Sequence, residues 1–271
     1  MSAPPYDTLF EIITAANTRL NGAVETLSPI GGQIVGNTNA FSQQVCNDAF
    51  RKMQNKLADL RYSGLQQETV FTNVPAVASN DPMVQAYIGY NGYFDGVVLH
   101  TSPVLPQNMI RPYDLTERQN GSGSLFTDMD PFLWSLPRVP KANWNRSWLW
   151  RTDTLYLPGA LVNTDLSLLY AGFLSDFADG SPTVGLQWFQ QPVQIMYCLD
   201  SLADYICREI CVARGDQAGA AAFQLSAEAN ARLIINRDMT AGKSIAKYAE
   251  FQRMADSYTP DTGPDTSTVK R

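Results

Sequence analysis

The sequence predicts an α+β fold: a helical bundle of two N-terminal and two C-terminal helices, a β-rich insertion between them, and a flexible C-terminal tail. Three observations predict it. Apolar residues recur every three or four positions in two stretches at each end of the chain. Between these stretches, prolines and glycines separate short segments rich in Val, Tyr, Trp and Leu, which is typical of strands joined by turns. The last residues show no apolar period and cannot form a packed element alone.

These changes in pattern set the predicted units of the 271-residue chain. They are 1–65 for the N-terminal helical pair, 66–190 for the insertion, 191–257 for the C-terminal helices that complete the bundle, and 258–271 for the tail. At about 150 residues per typical domain, the chain has the length of about 1.8 domains. This fits either one large domain or a scaffold that carries one sizeable insertion.

Two amphipathic segments form the predicted N-terminal pair. The first begins at Asp7, which we predict as its N-cap, and its apolar stripe continues to Leu27 before Pro29 interrupts it. The second runs from Phe41 to Leu60 and carries its charged residues on the opposite face. Each helix is therefore expected to bury one side against the rest of the chain.

Short apolar segments bounded by turn residues predict the strands of the insertion. The predicted strands are 69–74, 85–90, 147–152, 154–157 and 165–173. Asp153 separates two of them, so we expect those two to pair as a hairpin. The two-residue period of a strand places Trp148 and Trp150 on one face and Leu149 and Arg151 on the other.

The insertion is rich in large aromatic side chains: Tyr87, Tyr90, Tyr93, Phe94, Trp134, Trp144, Trp148, Trp150, Tyr156, Tyr170, Trp188 and Phe189. Aromatic side chains fill cores and anchor protein interfaces, and stacked tryptophans also bind carbohydrate. We favour a mixture of core and protein interface over a carbohydrate platform.

Two further helices are predicted after the insertion. The first covers 192–213 and ends at Gly215, and the next begins at Asp216 as its N-cap. This capping accounts for the string Arg214-Gly215-Asp216, which also spells an adhesion tripeptide. The apolar period of the last helix runs through Ala222, Leu225, Ala229, Leu233 and Asn236. Its many alanines favour a helix and allow a neighbour to approach closely.

The balance of charge argues against a protein that wraps nucleic acid. The chain has 20 basic and 26 acidic residues, which gives a net charge of −6, and the insertion holds 11 acidic against 6 basic residues. A protein that grips DNA neutralises phosphates with Lys and Arg. No apolar run is long enough to cross a bilayer, and the N-terminus lacks the pattern of a secretory signal.

Candidates for catalysis are few. His100 is the only histidine, and no nucleophile-elbow pattern accompanies it, so we expect a structural or exposed histidine. The neighbouring carboxylates Asp128 and Asp130, or Asp176 and Asp179, have the spacing of an acid and base pair, but ordinary acidic turns have it too. We therefore predict no catalytic residues.

The cysteines do not form the pattern of a disulfide framework or a metal site. The chain has four, Cys46, Cys198, Cys207 and Cys211. Only Cys207 and Cys211 share a helix face, and a pair of ligands is too few for a zinc site. We predict buried free thiols and no metal or other cofactor.

Several strings, in this order and spacing, resemble the head-to-tail connector (adaptor or neck) proteins of tailed bacteriophages. The strings are Asn91-Gly92-Tyr93-Phe94-Asp95-Gly96, Pro103-Val104-Leu105-Pro106, Glu117-Arg118-Gln119, Trp150-Arg151-Thr152-Asp153-Thr154-Leu155-Tyr156-Leu157-Pro158-Gly159-Ala160 and Asp165-Leu166-Ser167-Leu168-Leu169-Tyr170. The likeness extends from Thr8-Leu9 and Arg19-Leu20-Asn21 in the opening helix to Ala213-Arg214-Gly215. Each string is short, and their order carries the resemblance.

The resemblance implies a virion structural protein of the neck, assembled in the host cytoplasm. Copies would form a homo-oligomeric ring, a dodecamer, beneath the portal protein, and would offer a docking surface to tail or nozzle proteins. The genome DNA would pass through the ring without specific binding, and no membrane would be involved. An acidic lumen fits this role because it does not hold phosphates.

In such connectors a C-terminal extension commonly engages the portal. The 14 residues of 258–271 could reach about 45 Å when extended. The candidate portal-binding residues are Tyr258, Thr259, Pro260, Val269, Lys270 and Arg271.

Two other functions stay open at this point. The first is another neck or tail component, such as a stopper or tail terminator. The second belongs to a different class, a tail-associated protein that degrades the cell envelope or binds glycans. The single histidine and the lack of catalytic motifs count against the second.

Overall fold

The computed structural model of the chain describes residues 6–20, 28–30, 33–35, 41–76, 86–89, 104–132, 142–151, 153–178 and 187–257, with the backbone alone at 28–30, 33–35, 86–89 and 239–257. Its helices and sheets confirm the predicted α+β fold, in which a helical bundle carries a β-rich insertion. The predicted flexible tail, 258–271, lies outside the described residues.

In the described residues the bundle consists of four helices: α1 Leu9–Arg19, α2 Gln43–Asp59, α3 Leu199–Ala213 and α4 Gln217–Ser257. Helix α3 lies at the centre and packs against α1, α2 and α4. Residues such as Ile12, Met53 and Ile206 fill one shared core between them. Among the described residues, no helix is both long and apolar enough to span a bilayer.

The first helix begins one residue later than predicted. Thr8, not Asp7, is the N-cap: its hydroxyl accepts a hydrogen bond from the Glu11 amide, and the Glu11 carboxylate accepts one from the Thr8 amide at 2.8 Å. The carbonyl of Asp7 instead accepts from the Val193 amide at 2.9 Å. The prediction of Asp7 as the cap is therefore wrong, because the capping box forms with Glu11 one residue further on.

The third helix is shorter than predicted and begins at Leu199 rather than near residue 192. Main-chain hydrogen bonds to residues 7–9 hold the preceding segment extended, with the Leu9 amide 3.0 Å from the Gln191 carbonyl. Val193 and Ile195 are buried while the residues beside them are exposed. This alternation belongs to an extended segment, and two apolar residues were too few to separate it from a helix.

The turn between α3 and α4 has the predicted caps. Gly215 has φ +78°, and the Asp216 amide donates to the Cys211 carbonyl at 2.9 Å, as at the end of many helices. The Asp216 carboxylate accepts from the Gly219 amide at 2.9 Å and so caps α4. The backbone of α4 then continues to Ser257, the last residue of the predicted helical unit 191–257.

The described part of the insertion contains two four-stranded sheets. The strands are β3 Gln66–Val74, β4 Ala86–Gly89, β5 Met109–Gln119, β6 Thr127–Asp128, β7 Asp130–Phe132, β8 Ser147–Arg151, β9 Thr154–Leu157 and β10 Thr164–Gly172. The first sheet has the order β3-β10-β5-β6 and the second β4-β9-β8-β7. A small hairpin of β1 Ser28–Ile30 and β2 Gln33–Val35, which was not predicted, lies between α1 and α2.

The two sheets enclose a second core. Leu115, Leu166 and Leu168 of the first sheet share it with Trp148 and Leu155 of the second. The predicted hairpin is confirmed, since β8 and β9 pair antiparallel on either side of Asp153. Strand β5 was not predicted, although it pairs along most of β10.

The first sheet also meets the bundle. Ala171 of β10 lies in the helical core, and the Tyr113 hydroxyl of β5 donates to the Ala58 carbonyl of α2 at 2.8 Å. The bundle and the insertion are thus joined by packing as well as by the chain.

Candidate assembly interface

The candidate portal-binding residues lie outside the described residues: Tyr258, Thr259, Pro260, Val269, Lys270 and Arg271. The same holds for His100 and for several of the insertion's aromatic residues, Tyr90, Tyr93, Phe94 and Trp134. Of the others, Trp148 lies in the insertion core with partly buried Trp150 packed against it, and Phe189 lies in the bundle core.

All four cysteines are buried and unpaired. Burial raises the pKa of Cys46, Cys198 and Cys207 to about 12, and it also raises the pKa of Cys211. These thiols are therefore protonated at neutral pH, whereas nucleophilic and metal-binding cysteines react as thiolates. Within the described ranges, no group of three or more His, Cys, Asp and Glu side chains is arranged to hold a metal ion.

The paired carboxylates take structural positions. Asp176 forms an ion pair with Arg51 of α2, whose Nε lies 3.0 Å from the Asp176 Oδ1. Its sequence neighbour Asp179 lies outside the described residues. Asp128 and Asp130 are exposed, at the end of β6 and at the start of β7.

A buried carboxylate joins three helices. Asp204 of α3, with 4% of its side chain exposed, accepts from the Arg19 guanidinium of α1 at 2.6 Å. Its second oxygen accepts from Ser226 Oγ at 2.7 Å and Asn230 Nδ2 at 2.9 Å, both on α4. Arg19 also pairs with Asp200, one helical turn earlier. This network fixes the positions of α1 and α4 on α3.

A second buried carboxylate, Glu117 of β5, is held mainly by main-chain donors. It accepts from the amides of Asn145 at 2.8 Å and Arg146 at 2.6 Å, and from the Asn145 side chain at 3.1 Å. The Asn145 Oδ1 in turn accepts from the Gly159 amide at 3.0 Å. Glu117 thereby ties β5 of the first sheet to the loop that enters β8 of the second.

Asp165 of β10 is the third buried carboxylate. Burial raises its pKa, but hydrogen bonds from the Asn73 amide at 2.9 Å, Asn120 Nδ2 at 2.8 Å and Arg118 Nε at 3.0 Å outweigh burial, so its pKa is lowered. Glu117, Arg118 and Asp165 belong to two of the five strings on which the predicted resemblance rests. The structure brings these two strings together at one end of β5 and β10.

Helix α4 has two apolar faces on opposite sides. The inner face packs on α3 through Ala220, Ala227, Ala231 and Ile234. The outer face carries the residues whose apolar period predicted the helix, and the described ones are exposed: Ala218, Ala222, Leu225, Ala229, Leu233 and Asn236. Leu225 and Leu233 are 73% and 52% exposed.

The first part of α4 is also poor in charge. Residues 217–231 contain one charged side chain, Glu228, and it pairs with Lys56 of α2 at 2.6 Å. A helix at the surface of a monomer normally has charged and polar residues on its outer side. Residues 217–231 of α4 instead have the composition of a helix that is covered on both sides.

An exposed aromatic patch continues this face. The Arg237 guanidinium of α4 lies 5.0 Å from the ring centroid of Tyr197, which is 54% exposed and has φ +60°. Met196 beside it is 39% exposed. A bulky residue with positive φ is strained by about 1–3 kcal/mol, and such strain gathers at functional sites. Sequence reasoning missed Tyr197, because no turn residue such as Gly marks its backbone conformation.

No protein-family model matches the chain, and no curated protein matches it.

Proposed function

We propose that this chain is a non-enzymatic virion structural protein, a head-to-tail adaptor of a tailed bacteriophage. Its copies form a ring, taken as a dodecamer, between the portal protein and the tail or nozzle proteins. The ring extends the channel through which the genome DNA passes without specific binding.

The observation that carries the proposal is the position of the resembling strings in the fold. Glu117-Arg118-Gln119 and the segment that begins at Asp165 are far apart in the chain, yet their buried carboxylates fix neighbouring loops. Two of the resembling strings thus meet in the fold, where the Arg118 side chain of one donates to the Asp165 carboxylate of the other at 3.0 Å.

The position of the polar groups also supports a structural role. Glu117, Asp165 and Asp204 are buried in hydrogen-bond networks, and the three cysteines with a pKa of about 12 are buried thiols. The three carboxylates link neighbouring elements of the fold. A subunit of a ring that bears load needs such internal links.

Assembly can be measured directly on the purified chain, alone and with the portal protein of the same phage. We expect light scattering and negative-stain microscopy to show rings, at least when portal is present. A chain that stays monomeric at high concentration and also leaves the portal bare would refute the adaptor role. Hydrolysis or binding of envelope glycans would favour the tail-associated alternative.

The tail has its own test. A variant that ends after Ser257 should keep the circular dichroism spectrum of the full chain and lose affinity for the portal, because the candidate portal-binding residues 258–260 and 269–271 are removed. Unchanged attachment to the portal would refute the role of the tail and leave the ring unaffected.

A further inference from the structure

We infer that residues 174–178 form a releasable strap, whose detachment from α2 allows the β-rich insertion to tilt on the helical bundle. The strap is the segment that follows β10, on the way from the insertion back to the bundle. The inference concerns a single copy of the chain, so it stands or fails independently of the proposed ring.

Side-chain amides of α2 hold the strap by its main chain. Asn47 makes two contacts with Phe177: its Oδ1 accepts from the Phe177 amide at 2.8 Å, and its Nδ2 donates to the Phe177 carbonyl at 3.1 Å. Gln43 Nε2 donates to the same carbonyl at 2.6 Å, and Gln54 Oε1 accepts from the Leu174 amide at 2.7 Å. These main-chain groups are common to every peptide, so α2 holds the strap as it would hold a separate peptide ligand.

Little of the strap is buried. Phe177 is the only one of its five residues that is buried, and its ring centroid lies 4.8 Å from that of Phe50 of α2. Asp176 adds an ion pair with Arg51, but the two side chains are 35% and 54% exposed. An exposed ion pair contributes little to stability. Detachment of the strap therefore uncovers one buried aromatic side chain and leaves the cores of the bundle and the insertion intact.

A pocket of about 70 Å³ opens beneath the strap. It is lined by the strap itself, by Phe50 of α2, and by Gln191, Pro192 and Gln194. Gln191 Nε2 also donates to the Ala178 carbonyl. A water molecule needs about 10–15 Å³ of such space, so water has room to enter on this side of the strap. Separation can therefore begin at an existing gap rather than in a close-packed core.

The attached position carries a penalty that detachment removes. Gln54 is fully buried, and its Nε2 has no hydrogen-bond partner in the part of the chain that the structure describes. A buried donor without a partner destabilises the state in which it occurs. Because Gln54 contacts the strap at Leu174, departure of the strap lets water reach this donor. The attached and detached states are therefore closer in free energy than the hydrogen bonds to α2 alone would make them.

The insertion has a second attachment to α2, at the end of the helix. The Tyr113 hydroxyl of β5 donates to the Ala58 carbonyl at 2.8 Å, and Arg111 of β5 pairs with Asp59. Asn47, which holds the strap, lies about 16 Å from Ala58 along the helix axis. Detachment of the strap leaves the insertion attached near Ala58, and it can tilt about that end. A partner that binds the tilted arrangement more tightly shifts the equilibrium toward it.

Asn47→Ala tests the strap through hydrogen exchange at Leu174. The variant loses two contacts with Phe177, while the Leu174 amide keeps its own acceptor, Gln54. If the strap detaches as a unit, we expect exchange at Leu174 to become at least about tenfold faster, with unchanged circular dichroism and unchanged exchange in the middle of β10. Unchanged exchange at Leu174 would show that each hydrogen bond acts alone, and the inference would be overturned.

Asn108→Ala is the matched control. The Asn108 Nδ2 donates to the Phe173 carbonyl at 3.4 Å and to Gln67 Oε1 at 3.1 Å, both on the insertion side of the strap. Exchange at Leu174 should therefore stay as in the wild type. Equal acceleration by Asn47→Ala and Asn108→Ala would mean that the whole segment frays, which contradicts a strap held by α2.

Two fluorescent labels measure the tilt. The four native cysteines are buried, so Leu125→Cys in the insertion and Leu225→Cys on α4, 92% and 73% exposed in the wild type, are selective labelling positions. We expect single-molecule energy transfer between them to change in Asn47→Ala. Asp176→Ala removes only an exposed ion pair and should act in the same direction but less, so the test does not depend on one variant.

The two measurements together decide the inference. Faster exchange at Leu174 with changed energy transfer supports it. Faster exchange with unchanged transfer in both variants would show that the strap detaches without moving the insertion, and would overturn it. Neither result bears on whether rings form, so a failure of the strap differs from a failure of the adaptor role.

Discussion

The helical bundle and the β-rich insertion both bury carboxylates, but they satisfy them with different donors. Asp204 in the bundle binds side chains from two other helices, Arg19 and Ser226 among them. Glu117 and Asp165 in the insertion bind main-chain amides of Asn145, Arg146 and Asn73 in addition to side-chain donors. The bundle therefore uses a buried charge to place whole helices, and the insertion uses one to hold the backbone of loops.

The backbone at these loops explains the difference. Asn73 and Arg146 both have positive φ, +57° and +61°. This conformation is unfavourable for most residues with a side chain, by roughly 1–2 kcal/mol. A carboxylate that accepts from the amide of such a residue stabilises it directly. The bundle's helices need no such support, since their backbones are already hydrogen-bonded internally, and only their mutual positions remain to be fixed.

The largest effect is expected for Asp204→Ala in the bundle. Loss of the buried carboxylate leaves Arg19, Ser226 and Asn230 without their common partner and should lower the free energy of unfolding by about 3 kcal/mol. Urea denaturation measures this loss. Alkylation of the buried thiols under native conditions, which requires the bundle to open, should accelerate about 100-fold.

Asp200→Ala is the matched control for that variant. Asp200 pairs with the same Arg19, but its side chain is 65% exposed. An exposed ion pair contributes at most about 1 kcal/mol, so the urea midpoint should change little. Equal destabilisation by both variants would contradict the role given to the buried network.

A smaller and local effect is expected for Glu117→Gln in the insertion. The side chain introduced at position 117 has one acceptor oxygen where the carboxylate has two. Its NH₂ group therefore faces either the main-chain amide of Arg146 or the donors of Asn145. One buried donor loses its partner, which should cost about 2 kcal/mol. Hydrogen exchange at Asn145 and Arg146 should become faster, while alkylation of the thiols, all of which lie in the bundle, should not change.

The control for this variant is Glu68→Gln, an exposed carboxylate on β3 of the same sheet that accepts from Ser167 Oγ at 2.6 Å. We expect the free energy of unfolding of Glu68→Gln to differ from that of the wild type by no more than about 0.5 kcal/mol. Faster thiol alkylation in Glu117→Gln would show that the two regions unfold together and would remove the contrast between them.

The bundle was also the easier region to predict. Its amphipathic period located α2 to within a few residues, and capping chemistry placed the turn at Gly215 and Asp216. The period could not tell which face of α4 is buried, because both of its faces are apolar. The contacts of Ser201 and Asp204 with α4 decide it, and they join residues more than 20 positions apart.

The sequence did not predict the strand in the middle of the insertion. Strand β5 contains Pro112 and the charged Asp114 and Glu117, which hide its alternation. Glu117 is nevertheless buried, because loop amides from the other sheet bind it. The candidate portal site was inferred from the resemblance alone, while Tyr197 became visible only through its backbone angle and its contact with Arg237.

The smallest effect concerns the contribution of Asp165 in the insertion to the pH dependence of stability. Hydrogen bonds to Asp165 outweigh its burial and lower its pKa in the folded protein. A lowered folded pKa means that the carboxylate stabilises the fold fully above its unfolded pKa of about 3.9 and progressively less as pH falls through the folded value.

Asp165→Asn should therefore be less stable than the wild type at pH 6, and the gap between their urea midpoints should narrow toward pH 3. Asn120→Ala keeps the carboxylate but removes one of its donors, so the pH-dependent part of its stability should lie between those of the other two proteins. Glu209 and Glu228 of the bundle also have lowered pKa values, and all three proteins share them. Their contribution to the pH dependence therefore cancels when the stability of one protein is subtracted from that of another. A gap that stays constant with pH would mean that the protonated Asp165 makes equally good hydrogen bonds, and the loop at Asn73 would then depend on geometry rather than on charge.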